Sequence, residues 1–370
     1  MRCARDKITG LYVHVPFCDG KCGYCAFYSV RYQEALAEDY LDALERELAA
    51  AGPLAPETIY LGGGTPSVLT ASQLERLLRM LLAKISLSRL LEWTIEINPG
   101  SLDAAKAAVL TALGVNRFSL GAQAFDDRVL QTLGRRHAAA DTAKAVALLR
   151  KAGARNLNLD LIAGMPDCPR ALWQQTLLSA LALSPEHISV YALTNEEGTR
   201  LNRRWRQGKM KLLSEEEHLH RLDMAEALLA ASGFKRYEIS NYARDGFECR
   251  HNLACWRGEE YIGLGPAAAS HVGMKRWTNC ADLKAYGAAL ARGRRPPRAV
   301  EKLTPALKRQ DQVIFGLRLA EGITPETASG YEESLATLQV AGLVERPNGR
   351  WQLTARGRNL ADYVAVELIR

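Results

Sequence analysis

Nowhere does the chain run to the ~18 consecutive apolar residues that a membrane-spanning helix needs. Its first ten residues, Met1 to Gly10, are polar and charged and lack the apolar core of an export signal. A cytoplasmic location is the expectation. Excess charge of either sign is also missing: 48 Lys and Arg stand against 41 Asp and Glu, a formal +7 over 370 residues. That balance is too mild to argue for nucleic-acid binding. Cysteine is sparse, eight in all, and without an export signal eight cysteines are not read as a disulfide framework. Five are scattered and read as ordinary buried thiols. The other three, Cys18, Cys22 and Cys25, crowd into one loop.

What is present is a long alternation of short apolar strands and amphipathic helices from Leu11 to Leu193. Strands are expected at Leu11–Phe17, Thr58–Leu61, Trp93–Asn98, Val115–Gly121, Asn156–Leu161 and His187–Leu193. Helical patterns lie between them, at Tyr32–Ala51, Ala71–Ala83, Leu102–Leu113, Ala140–Ala152 and Leu172–Leu183. Repeated strand–helix units imply a parallel sheet with outer helices, and six units suit an incomplete barrel. Two strands carry one polar face: Thr94, Glu96 and Asn98 in one, Asn156, Asn158 and Asp160 in the other. Period-two alternation puts each set on a common side, whereas a fully buried parallel strand should be almost continuously apolar. A lumen holding a polar ligand is one reading; a hydrogen-bonded polar layer in the core is the other.

Beyond Leu193 the pattern loosens. A basic run of Arg200, Arg203, Arg204, Arg206, Lys209 and Lys211 precedes a helix at Ser214–Ser232, and Arg236–Asn241 reads as a strand. Arg292 to Arg298 reads as a linker. Two helices are then expected before Val344–Thr354, where Asn348-Gly349 signals a hairpin. A small winged-helix-like C-terminal domain follows from that order. Its nine Lys and Arg against nine Asp and Glu over 301–370 make it structural rather than DNA-reading.

The cysteine loop directly follows the first strand, as Cys18-Asp19-Gly20-Lys21-Cys22-Gly23-Tyr24-Cys25. Three thiolates can ligate three irons of a 4Fe-4S cubane and leave the fourth open to a small chelating ligand. Structural zinc is a rival, but it usually takes four ligands, often in two pairs, and the next cysteine is Cys168. A redox pair at Cys22 and Cys25 is another, though it leaves Cys18 without a role.

The spacing Cys-X3-Cys-X2-Cys, with Tyr24 before the last cysteine, resembles the signature of the radical S-adenosylmethionine (SAM) superfamily. The string Leu11 to Cys18 resembles the subfamily of oxygen-independent coproporphyrinogen dehydrogenases (HemN) and haem chaperones (HemW). Gly62 to Ser67, Glu96 to Gly100, Asn116 to Gly121, Leu159 to Pro166, Tyr237 to Ala243 and Arg250-His251-Asn252 extend the match along nearly the whole chain. The resemblance implies a mixed α/β fold: a partial (β/α)6 barrel with a family-specific extension near 195–290, in a core of 1–290, and a C-terminal domain at 291–370. It implies a cluster on Cys18, Cys22 and Cys25, and SAM held by Tyr12, Tyr24, Gly63, Gly64, Thr65, Glu96, Gln123, Arg135 and Asp160. Taken alone, the glycines fit a tight turn equally well.

Within the subfamily, dehydrogenases carry a fourth cysteine soon after the third and an N-terminal extension. Here Ala26 and Phe27 follow Cys25, and about ten residues precede the first strand, a chaperone-like pattern. The resemblance therefore implies a haem chaperone, with haem or a related tetrapyrrole as cargo, haem-acceptor proteins and an electron donor as partners. The alternatives are oxidative decarboxylation of coproporphyrinogen III and a non-catalytic zinc scaffold. The family's His-Asn-X-X-Tyr-Trp string appears as His251-Asn252-Leu253-Ala254-Cys255-Trp256, with Cys for Tyr. The His of a second family string is lost at Ala269, while His271 stands nearby. His251 is the favoured haem ligand and Cys255 or Cys249 the others; His251 as a hydrogen-bonding loop residue is the plain alternative. The basic run could pair with haem propionates or form a solvated helix face.

Overall fold

The computed structural model describes residues 8–369. Arg370 and the first seven residues, with Cys3 and most of the polar N-terminal stretch, lie outside the described residues. Six strands are consecutive both along the chain and across the sheet: β1 (Ile8–Val15), β2 (Thr58–Gly63), β3 (Glu92–Ile97), β4 (Arg117–Gln123), β5 (Leu157–Ala163) and β6 (His187–Ala192). Each pairs in parallel with the next. The expected helices return the chain between them, at Glu34–Ala51, Ala71–Lys84, Ala104–Ala112, Ala139–Lys151 and Arg170–Ala182. Their starts are locally encoded: Thr70 and Gln73 form a reciprocal capping box, and Asp103 accepts from Lys106 N. The outward faces of the strands and the inner stripes of these helices form one continuous apolar core.

The sheet is larger than the sequence pattern shows, with twelve strands. Beyond β6 come two short antiparallel strands, β7 (Lys235–Arg236) and β8 (Asn241–Ala243). The single strand expected over Arg236–Asn241 is thus two pieces around a turn. The Glu238 carboxylate closes that turn, accepting from Ser240 N and Asn241 Nδ2. On the other edge, β9 (Glu260–Leu264) lies parallel to β1, and β10 (Ala269–Val272), β11 (Lys275–Asn279) and β12 (Arg298–Lys302) follow antiparallel. The segment expected as a linker therefore ends inside a sheet strand at Arg298. A second buried cluster, from Val313 to Leu368, is built by helices and the hairpin Val344–Glu345 with Gln352–Leu353. Asn348, at φ 51°, turns that hairpin as its Asn-Gly signal predicts.

Two carboxylates, one half-buried and one buried, tie the later chain to the barrel. Glu47, on helix Glu34–Ala51, accepts from Gly265 N at 2.7 Å, Asn279 Nδ2 at 2.8 Å and Tyr286 Oη at 2.7 Å. Glu92, at the start of β3, accepts from Thr94 Oγ1, Cys249 Sγ, Arg250 N and His251 N. It thereby caps the helix Arg250–Trp256 beneath the barrel. Replacing Glu92 by alanine leaves those buried donors without an acceptor, at a cost of about 3 kcal/mol or more. The urea midpoint of Glu92→Ala is expected to fall accordingly; a midpoint equal to that of the parent would contradict this role.

Candidate functional site

The loop that carries the three cysteines has little regular structure of its own and is held from outside. Its neck is a short parallel pairing of Phe17–Cys18 with Val30–Arg31, closed by Tyr32 N donating to Cys18 O at 2.8 Å. Its tip is clamped on both sides of Gly23, whose N donates to Leu133 O at 2.7 Å and whose carbonyl accepts from Leu201 N at 2.8 Å. Arg200 adds a bond to the Lys21 carbonyl. The basic run thus begins on a helix, Arg200–Arg206, that braces the cysteine loop.

Cys18, Cys22 and Cys25 are half-buried free thiols on the wall of one cavity of about 670 Å³. Burial pushes the Cys18 and Cys25 thiols up. Thr65 Oγ1 lies 3.7 Å from Cys18 Sγ, and Arg135 Nη1 reaches Cys22 Sγ at 3.6 Å. Among the described residues no three His, Cys, Asp or Glu side chains are disposed to hold a metal ion between them. The three sulfurs instead border a larger space, as thiolates each binding a separate iron of a cubane would.

Every residue expected at the SAM site lines this same cavity: Tyr12 on β1, Tyr24 in the loop, Gly63 at the end of β2 with Gly64 and Thr65 after it, Glu96 on β3, Gln123 at the end of β4 with Arg135 beyond it, and Asp160 on β5. Parallel strands in register, each presenting alternate residues inward, produce that convergence. Gly64 is required by close approach, since a Cβ there would sit 2.5 Å from Phe17 O and 2.8 Å from Val15 O. Gly63 takes φ 105°, a conformation that side chains oppose, and gives its N–H to Glu96 Oε2 at 3.2 Å. Gln123 holds φ 64° without being glycine, a local strain of the sort that gathers at functional sites.

Polar groups from several strands line the lumen. Glu96 accepts from Tyr60 Oη at 2.9 Å; burial, with Asp160 nearby, pushes its carboxyl up to about 7. Asp160 accepts from Ser119 Oγ at 2.9 Å and Asn158 Nδ2 at 2.8 Å; burial also raises it, against those bonds. Arg117, fully buried, favours the ionised form of both carboxylates. Arg135 bonds Gly121 O at 2.8 Å and Asn98 Oδ1 at 3.3 Å, so its planar charge is fixed between the loop and the strand ends. Tyr60 and Ser119 were not expected at the site, and Asn98 only as part of the polar face of its strand. Tyr60 had a signal, because Thr58 and Tyr60 alternate with Ile59 and Leu61. The stretch after β6, which supplies Leu193, Thr194 and Glu196 to the wall, had none.

His251 does not line this cavity. It is buried, its Nδ1 lies 2.8 Å from Thr58 Oγ1 and its ring lies against Tyr60 at 5.1 Å; burial lowers it to about 4, so the ring is neutral. It borders a second cavity of about 310 Å³, which shares Tyr12 and Phe27 with the first. Cys255 borders that cavity and a third, of about 410 Å³, where His271, Arg276 and Lys308 also lie. Cys249 is fully buried, with its thiol directed to Glu92 at 3.4 Å.

A model of the radical SAM superfamily matches residues 12–176. The chain is 38% identical over 368 residues to the heme chaperone HemW of Mycobacterium tuberculosis, covering 97% of this chain and 94% of that one. It is 33% identical to the heme chaperone HemW of Bacillus subtilis, over 95% of this chain and 97% of the relative. Among solved structures, coproporphyrinogen III oxidase (HemN) from Escherichia coli superposes with a TM-score of 0.84 at 25% identity, over 98% of this chain and 90% of that one.

Because Glu96 binds its proton more tightly when folded, it favours the fold below pH 4.5 and loses that contribution as pH rises to about 7. Glu96→Gln is expected to gain up to about 3 kcal/mol on the parent across that window, read as a growing gap between urea midpoints. A gap that does not change with pH would contradict the burial of this charge.

Proposed function

The chain belongs to the HemW family of the radical SAM superfamily, and from that we propose a haem chaperone that carries a 4Fe-4S cluster and SAM beside its haem site. The single observation that carries the reading is the convergence of three thiols and nine further polar, aromatic or glycine positions on one cavity. When bound, the cluster and SAM supply one-electron reductive chemistry. The protein's part is placement. Cys18, Cys22 and Cys25 would hold three irons and leave one corner free. Gly63, Gly64 and Thr65 would meet the methionyl end of SAM with backbone groups, and Arg135 its carboxylate. Glu96 and Asp160 would accept from ribose hydroxyls or the amine. The hydroxyl of Tyr12 lies 3.1 Å from His14 Nδ1 while His14 Nε2 meets Tyr28 O at 3.0 Å, so the tyrosine ring is held in place at the cavity wall.

Haem is proposed to lie where the second and third cavities meet, within reach of His251, Cys255 and His271. The neutral His251 ring and the Lys308 cation support that placement, as imidazole suits the iron and a cation suits a propionate, while Arg276 is already paired with Glu301 and Asp311. The core is proposed to extend to the edge strand Arg298–Lys302, with a separate C-terminal unit after it. Among the described residues no helix is long and apolar enough to cross a membrane.

Anaerobic reconstitution is expected to load about four irons per chain, and replacing Cys18, Cys22 and Cys25 by alanine to abolish that uptake. Zinc in place of iron would instead favour a metal scaffold. Haem titration of the reconstituted protein should show a Soret change that His251→Ala or Cys255→Ser weakens at least about tenfold. No haem uptake, with turnover of coproporphyrinogen III in the same sample, would favour the decarboxylating alternative.

A further inference from the structure

Two residues before Asp160 on β5, a row of polar side chains crosses the same inward face of the sheet. Ser119, Asn158 and His187 stand side by side on β4, β5 and β6 in the parallel register, and all three are buried. A hydrogen-bonded polar layer thus underlies the lumen. Its donors can be assigned one by one. A carboxylate only accepts, so the Asn158 atom 2.8 Å from Asp160 Oδ1 is the amide nitrogen. That nitrogen also donates to Ser119 Oγ at 2.7 Å, whose own hydrogen goes to Asp160 Oδ2 at 2.9 Å. Asn158 Oδ1 therefore faces His187 Nδ1 at 2.6 Å, and Nδ1 carries the hydrogen. Burial, with Arg117 nearby, lowers the histidine, so the ring is neutral and its Nε2 is bare. Nε2 accepts from Tyr237 Oη at 2.8 Å, and that oxygen accepts from Cys249 N at 3.1 Å. Every bond in this chain points towards Asp160.

We infer that His187 is a positioning residue of the SAM site, holding the Asp160 carboxylate through Asn158. The inference rests on the SAM reading of the cavity. Both carboxylate oxygens are pinned from the buried side, which leaves one lone-pair direction of each for the cavity. Ribose hydroxyls or the amine would meet it there. A turned Asn158 amide would set its oxygen against Asp160 and swing the carboxylate out of that geometry. Ser189 Oγ, 3.2 Å from Asn158 Oδ1, does not prevent the turn, because a hydroxyl accepts as readily as it donates. The histidine does prevent it. Its tautomer is set by Tyr237, and Tyr237 is set by a main-chain N–H that can only donate. Outer partners that orient a binding group in this way are worth about 10- to 100-fold in affinity at metal sites.

The test uses the full chain, anaerobically reconstituted and kept oxidised, with SAM as the probe and calorimetry as the readout. His187→Ala is expected to weaken SAM binding at least about tenfold. His187→Asn, whose Nδ2 can take the place of the Nδ1 donor, should bind within about threefold of the parent. In an Asp160→Asn background His187→Ala should cost less than about threefold, since the carboxylate it positions is gone. An unchanged affinity for His187→Ala overturns the inference. So does a tenfold cost in both backgrounds, because the ring would then only pack the core. Should His187→Ala fail to fold, nitrogen NMR of the histidine-labelled parent decides. A hydrogen on Nδ1 of His187 is expected, and one on Nε2 overturns the inference. A parent that binds no SAM, or an Asp160→Asn variant that binds it as tightly as the parent, defeats the SAM reading instead.

Discussion

A loop that must bring three sulfurs close together cannot hold itself, and the external clamp on Gly23 is the constraint on which the rest of the structure depends. The segment from Asp19 to Cys25 has no ladder or helix to fix its path. Its geometry is therefore borrowed from Leu133 at the end of the unit after β4 and from Leu201 and Arg200 at the start of the bracing helix. Elements more than a hundred residues apart in sequence must be in place before the sulfurs are. The parallel sheet achieves this by ordering its strands as they come in the chain, so that successive strand ends deliver one group each to the same mouth.

The lumen follows a second logic. Glu96 and Asp160 are half-buried on the cavity wall, where a bare carboxylate would be costly, and each is met by donors from its own or the neighbouring strand. The compensation is incomplete, as the raised protonation of both shows. A cationic ligand entering the cavity would supply the missing part.

Part of the site was legible from pattern alone, while Tyr12, Tyr24, Gly63, Gly64, Thr65, Gln123 and Arg135 were expected only from the family resemblance. Period-two alternation exposed Glu96 and Asp160, and the tight cysteine spacing exposed the loop. The strands from Glu260 to Lys302 were not legible. The first of them pairs with β1, some 250 residues earlier, and the others build outward from it, and strands this short carry little periodic signal. The same holds for the role of the basic run, whose charges read alike on a solvated face and on a brace; only the bonds of Arg200 and Leu201 to the loop decide. Arg236–Asn241 misled because Glu238 folds it back on itself through side-chain bonds that no pattern of apolar residues reports.

Glu47 carries a consequence for how the chain is made. Its three donors come from residues 265, 279 and 286, and β1 waits for β9 to cover its open edge. At about 5–20 residues per second, the ribosome needs roughly 10 to 45 s to deliver Gly265 after Glu47. Through that interval the nascent sheet presents an unpaired edge beside a carboxylate without partners, a state that favours mispairing with other chains. Completion of this fold is set by the arrival of its last sheet strands.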